Sequence, residues 1–249
     1  MENIKETIQQ KYGSIAADAG THSGCCGSDH SCSGSSSTSC MTEEYSGDTA
    51  GAFAAANLGL GCGTPVEYAA INEGMTVLDL GSGAGIDAFI ASKYVGGTGK
   101  VIGLDMTQAM VDRAADNARK FGVGNVEFLH GDIEEMPIAT NSVDRIISNC
   151  VLNLVPDKSR AFSEIHRVLK PGGFFVVSDI VFTGNMDDGL RQNRELWAAC
   201  VSGALDKKEY LAIIEQAGFS GIEIIRERAY DQLSTETYIL QSITVKARK

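Results

Sequence analysis

The chain has 249 residues, 43% of them hydrophobic and 21% charged, with a formal net charge of −11. This balance fits a globular protein of one well-filled domain or a domain plus a small appendage, and the acidic excess weighs against nucleic acid as a partner. The start lacks a basic and then apolar leader, and apolar runs such as Phe174 to Val177 are strand-sized, so the expectation is a cytoplasmic protein with no membrane span.

In chain order, residues 2–11 have the pattern of a short helix. Residues 20–39 are rich in Gly, Ser, Thr and Cys and nearly free of apolar side chains, which predicts a mobile segment. Helical character returns over residues 43–57, ahead of the turn LGLGCGTP. From Gly74 onward strands and helices alternate. MTVLDL, KVIGLD, NVEFLH, VDRIISN and GFFVVSDIVF read as strands. Between them GIDAFIASKYV, TQAMVDRAADNARKFG and DKSRAFSEIHRVLK read as helices. Thr107 and Asp157 are the N-caps of the last two, and Pro171-Gly172-Gly173 is the stop of the last. KKEYLAIIEQAGF predicts a further helix, followed by two closing strands, GIEIIRERA and ETYILQSITVKAR. The fold class is therefore α/β, a doubly wound, mostly parallel Rossmann-like sheet with an antiparallel C-terminal edge strand. The expected division is an extension over 1–60 with a flexible part at about 20–42, a core over 61–182 and a terminal unit over 183–249.

The segment Val77 to Asp87 follows the first strand, where a parallel sheet places its ligands. Its glycines, Gly81, Gly83 and Gly85, depart from G-x-G-x-x-G because Ile86 stands where the third glycine belongs. Asp79 precedes the loop, Asp105 ends the second strand, where a carboxylate can accept from a ribose diol, and Asp132-Ile133 follows the third. With the Leu-Lys-Pro-Gly-Gly turn, the combination over residues 74–182 resembles the class I S-adenosylmethionine-dependent methyltransferases. The resemblance implies that Gly81 and Gly83 face the methionine part of that methyl donor, with Asp79 and Ser82 also among the residues that bind it. It implies that Asp105 holds the ribose, with Met106, Asp132 and Ile133 at the adenine and Asn149 as a polar or orienting contact.

Seven cysteines divide into two groups. Cys25, Cys26, Cys32 and Cys40 crowd the polar N-terminal segment, without the paired C-x2-C spacing of a zinc site. Cys62, Cys150 and Cys200 stand alone, and an isolated cysteine is most often a small buried hydrophobe. Their contexts, GLGCGTP, SNCVLNLVPDK and ACVSGAL, together with the Tyr12-Gly13…Cys25-Cys26-Gly27 segment, resemble the arsenite S-adenosylmethionine methyltransferases. That resemblance implies an enzyme of arsenic detoxification in which Cys62, Cys150 and Cys200 bind trivalent arsenic through sulfur. Cys25 or Cys26 would assist in capture or redox exchange, and Cys32 and Cys40 have no counterpart. A thiol reductant, glutathione or thioredoxin, and a monomeric state complete the expectation. An arsenic lone pair needs no general base, so His130 and His166 are expected to be non-catalytic. Two other readings are a methyltransferase acting on a quinone-like small molecule and a thiol-based metalloid-binding protein.

Overall fold

The computed structural model describes residues 4–18, 45, 51–191, 197 and 200–249. Strands β1 (Thr76–Leu80), β2 (Lys100–Asp105), β3 (Val126–His130), β4 (Val143–Asn149) and β5 (Leu169–Gly184) pair in parallel. The two-residue β6 (Leu205–Asp206) pairs with β5, and the long strands β7 (Ser220–Ala229) and β8 (Tyr238–Arg248) complete one sheet of order β3-β2-β1-β4-β5-β8-β7. β8 runs antiparallel to both β5 and β7. The antiparallel strand thus lies one place in from the edge, and β7 forms the edge itself.

Helices cover the sheet: α1 (Ile4–Asp18), α2 (Ile86–Val95), α3 (Gln108–Phe121), α4 (Lys158–Val168), α5 (Asp188–Arg191) and α6 (Lys207–Gln216). In α3, Met110, Val111, Ala114 and Ala118 make one buried stripe; in α4, Ala161, Phe162, Ile165 and Val168 do the same. In α2, by contrast, seven of ten residues are buried, because β1, β2 and β3 surround it. Two apolar clusters form around the sheet, one including Leu78, Leu104, Ile146 and Phe175, the other including Val77, Phe89, Ile147 and Val176. These residues alternate along β1, β4 and β5, so the clusters lie on opposite faces.

Several local expectations change. α1 extends to Asp18. Among the described residues of 43–57, a single 3-10 turn forms at Ala54–Ala56 and Gly51 is helical. α4 ends at Val168, before Pro171, because Leu169 already pairs with Val143 and the chain has become β5; Pro171 to Gly173 then sit in a register shift of that ladder. Thr107 occupies the N-cap of α3 without a side-chain cap bond, whereas Asp157 caps α4 by accepting from the Arg160 N–H. No helix among the described residues is long and apolar enough to cross a membrane.

Register fixes the site. Leu80 pairs with Leu104 and with Ser148, and Asn149 with Ser178, so the carboxyl ends of β1, β2, β4 and the middle of β5 meet at one edge.

Candidate active site

A pocket at this edge is lined by Asp79, Gly81, Ser82, Gly83, Asp105, Met106, Asp132, Ile133, Asn149 and Cys150, which brings every predicted cofactor residue together with one predicted thiol. Gly81 holds φ at +65°, and a Cβ there would lie 2.3 Å from Val151 Cγ2, so the turn needs both glycine's backbone freedom and its lack of a side chain. The Asp105 carboxylate accepts from Gly83 N at 2.9 Å and from Thr107 N at 2.8 Å. Each oxygen keeps an acceptor site for a ligand hydroxyl. Burial raises its pKa against those hydrogen bonds.

Beneath the loop lies a pair of buried carboxylates, of which sequence reasoning assigned a role to Asp79 alone. Burial and the neighbouring Asp87 and Asp105 push Asp79 well above the usual carboxylate range. Asp87, in the first turn of α2, is pushed up to about 6 by burial, opposed by hydrogen bonds from Asn149 and Tyr45. Its signal in the sequence was a lone acid at the start of the otherwise apolar stretch IDAFIA. Asp79 Oδ2, Asp87 Oδ1 and Ser82 Oγ are buried without a hydrogen-bond partner. Orphaned buried acceptors are costly, and a ligand carrying an ammonium group would supply the missing donors. The α-ammonium and ribose diol of S-adenosylmethionine therefore fit the residues present.

Asn149 joins this pocket to the first cysteine. Its Oδ1 accepts from Cys62 N at 2.9 Å and Gly63 N at 3.2 Å, while Nδ2 donates to Gly63 O at 2.8 Å and Asp87 Oδ2 at 3.1 Å. The loop must come very close to make this clasp. A Cβ on Gly61 would fall 2.6 Å from Asn149 Nδ2, and one on Gly63 would fall 2.3 Å from Ser178 Oγ. The glycines flanking Cys62 thus permit its placement.

Cys62, Cys150 and Cys200 are free, buried and members of one cluster. Cys200 Sγ lies 3.2 Å from the Cys150 carbonyl oxygen. The three thiols lie close enough to perturb one another's protonation, Cys200 with Cys150 and Cys150 with Cys62. Cys150 and Cys200 hold φ at +62° and +63°, a left-handed backbone that disfavours side chains and recurs at functional sites. Burial pushes the Cys62 thiol up. The neighbouring Cys150 thiol, together with burial, pushes Cys200 well up. Cys150 also stands well above its ordinary value, since the lowering effect of the Cys200 thiol is outweighed by the Cys62 thiol and by burial. All three are therefore protonated near neutral pH. Among the described residues, no set of three His, Cys, Asp or Glu side chains is arranged as a ready-made metal-ion cage.

Cys25, Cys26, Cys32 and Cys40 lie outside the described residues. Neither His130 nor His166 lines the pocket: His130 hydrogen-bonds the Met106 carbonyl at 2.9 Å, and His166 packs edge-on against Phe219. Lys5, Ile8 and Tyr12 of α1 do line it, and sequence reasoning assigned none of them a site role, Tyr12 entering only through the family resemblance. Their helical pattern was visible, but the surface it covers was not.

A Rossmann-like sheet with a ligand pocket at its carboxyl edge is the architecture of the class I methyltransferases among other nucleotide-ligand proteins, and residues 71–218 match the family described as "Methyltransferase domain", to which the chain belongs. Over 234 residues it is 40% identical to an arsenite methyltransferase of Halobacterium salinarum, covering 90% of this chain and 59% of that protein. A mouse arsenite methyltransferase is 40% identical over 168 residues, 64% of this chain and 44% of that protein. The crystal structure of an arsenic(III) S-adenosylmethionine methyltransferase from Chlamydomonas reinhardtii superposes with a TM-score of 0.69 at 35% identity, covering 76% of this chain and 67% of that one. Within the methyltransferases the chain is a member of the arsenite S-adenosylmethionine methyltransferase family. It spans 59% of the length of the Halobacterium relative.

Proposed function

We propose that this chain methylates thiol-bound trivalent arsenic with S-adenosylmethionine as donor, producing methylated arsenicals for arsenic detoxification. The observation that carries the reading is the convergence of Cys62, Cys150 and Cys200 on one cluster, with Cys150 lining the glycine-loop pocket. When bound, S-adenosylmethionine supplies an electrophilic methyl group on a sulfonium sulfur.

The residues divide the work. Asp79 and Asp87 hold the ammonium, Ser82 and the loop at Gly81 and Gly83 accommodate the methionine part, and Asp105 accepts from the ribose hydroxyls. Met106 and Ile133 flank the adenine beside Asp132. Cys62, Cys150 and Cys200 take up the arsenic.

Protonated thiols suit arsenous acid as substrate. Three S–H and three As–O bonds break, three As–S bonds form, and each thiol proton leaves with an arsenic hydroxyl as water. The enzyme thus needs no separate base for loading, and sulfur is a fitting ligand for a soft, thiophilic centre. The bound arsenic keeps a lone pair and has no proton to lose, so catalysis rests on proximity and orientation. Asn149, which fixes the Cys62 loop and touches Asp87, sets the spacing between acceptor and donor pockets.

Arsenic that gains a methyl becomes pentavalent. Closure of a disulfide by two of the cysteines returns two electrons, and glutathione or thioredoxin reopens it. Free thiols of this kind belong in a reducing compartment, so the proposal includes a cytoplasmic enzyme. The test is incubation with arsenite, S-adenosylmethionine and either reductant, reading methylated arsenic by mass spectrometry. Product is expected, and its absence with both reductants overturns the reading.

A further inference from the structure

Helix α1 lies against the pocket wall that carries Met106, Asp132 and Ile133. Lys5, Ile8 and Tyr12, spaced by three and four residues, share one face of the helix, and all three line the pocket. Gln9 Nε2 donates to the Met106 carbonyl at 3.0 Å and Arg113 Nη1 to the Ala16 carbonyl at 2.7 Å, so α1 is tied down along its length. In its first turn Lys5 Nζ bonds Asp132 Oδ2 at 2.5 Å and Glu134 Oε2 at 2.6 Å. These bonds form a relay that ends on Asp132. Glu134 is itself anchored at the start of α4: its Oε1 accepts from Asp157 N at 2.9 Å, and Arg160 Nε donates to its carbonyl at 2.7 Å. Lys5 bridges this fixed glutamate to Asp132 Oδ2, while Asp132 Oδ1 accepts from Glu134 N at 2.9 Å.

We propose that Lys5 is a positioning residue for the methyl donor, holding the Asp132 carboxylate so that its spare acceptor sites serve the exocyclic amine of the adenine. Each Asp132 oxygen has one donor in place and room for a second, so the lysine orients the carboxylate without exhausting it. The Lys5 and Asp132 side chains are 23% and 39% exposed, and ion pairs this open contribute little to stability. What the pair supplies is orientation: without Lys5, Asp132 is gripped through Oδ1 alone. A fixed carboxylate is also a selectivity device. A purine that carries oxygen in place of the amine sets one acceptor against another, and that clash discriminates only if the carboxylate stays in place.

The inference rests on the reading of S-adenosylmethionine as donor. It is tested with the full chain by calorimetry, titrating S-adenosylhomocysteine and S-inosylhomocysteine, in which oxygen replaces the amine. The unsubstituted chain is expected to prefer S-adenosylhomocysteine. For Lys5→Met the S-adenosylhomocysteine Kd is expected to rise about fivefold while the S-inosylhomocysteine Kd stays within about twofold, so the preference narrows. Lys5→Arg is expected to keep the preference, since a guanidinium can bridge the same two carboxylates. In an Asp132→Asn background Lys5→Met is expected to have no further effect, because the group it positions has lost its charge. An unchanged S-adenosylhomocysteine Kd in Lys5→Met, an equal weakening of both ligands, or full additivity with Asp132→Asn each overturns the positioning role. So does the absence of any preference in the unsubstituted chain, which leaves the donor reading standing. Failure of the unsubstituted chain to bind S-adenosylhomocysteine overturns the donor reading and this inference with it.

Discussion

The donor pocket takes most of its polar groups from the stretch Asp79 to Asp87, whereas the thiol cluster takes its sulfurs from positions 62, 150 and 200. One is a βα turn whose geometry is set by its own glycines and by the register of β1 against β2. The other exists only where the end of β4, the Cys62 loop and the segment after β5 arrive together. Two of its three members have strained backbone, while the positive φ values of the glycine loop fall on Gly81, Gly83 and Gly85. The contrast suggests that donor binding and acceptor binding are separable, with Asn149 as their joint.

The largest effect should come from breaking the acceptor side alone. Cys150→Ser or Cys200→Ser is expected to lower arsenic methylation by more than about 100-fold, since even supporting contacts around a bound ion are worth 10–100-fold. S-adenosylhomocysteine affinity should stay unchanged by calorimetry, and a parallel loss there would show the two regions to be one unit. Asn149→Ala attacks the joint. It is expected to lower kcat/KM for arsenite by about 10–100-fold and stability by about 1–3 kcal/mol in denaturant titration, because the amides of Cys62 and Gly63 lose their acceptor and Asp87 loses a donor.

Asp105→Ala strikes the donor side. Loss of charge-assisted hydrogen bonds should raise the S-adenosylhomocysteine Kd by about tenfold and leave arsenite binding as it was. The smallest effect is a pH dependence. Asp87 titrates at about 6 in the folded protein, against 3.8 for the ordinary carboxylate. Between these values the folded chain holds more protons than the unfolded one, so the stability of the unliganded protein falls as pH rises from 3.8 toward 6 and is level above. A bound ammonium favours the ionised form, so S-adenosylhomocysteine affinity should fall severalfold as pH drops through 6. Asp87→Asn should flatten that profile, and an unchanged profile would remove Asp87 from the ammonium site.

The sequence by itself determined the alternation of strands and helices, the glycine turn after β1, and the acids at the strand ends. These follow from short-range rules: apolar periodicity, caps such as Asp157, and the place a parallel sheet gives its ligands. The thiol contexts were legible as local patterns, through resemblance, but their meeting was not a local property. Only the tertiary structure decided that Asn149 clasps the Cys62 loop, that Asp87 joins Asp79 beneath the glycine loop, that β8 inserts between β5 and β7, and that α1 packs Ile8 and Tyr12 against the thiol cluster. Each depends on contacts between residues far apart in the chain. Such contacts are fixed by which surfaces bury one another, and no window of the sequence contains both partners.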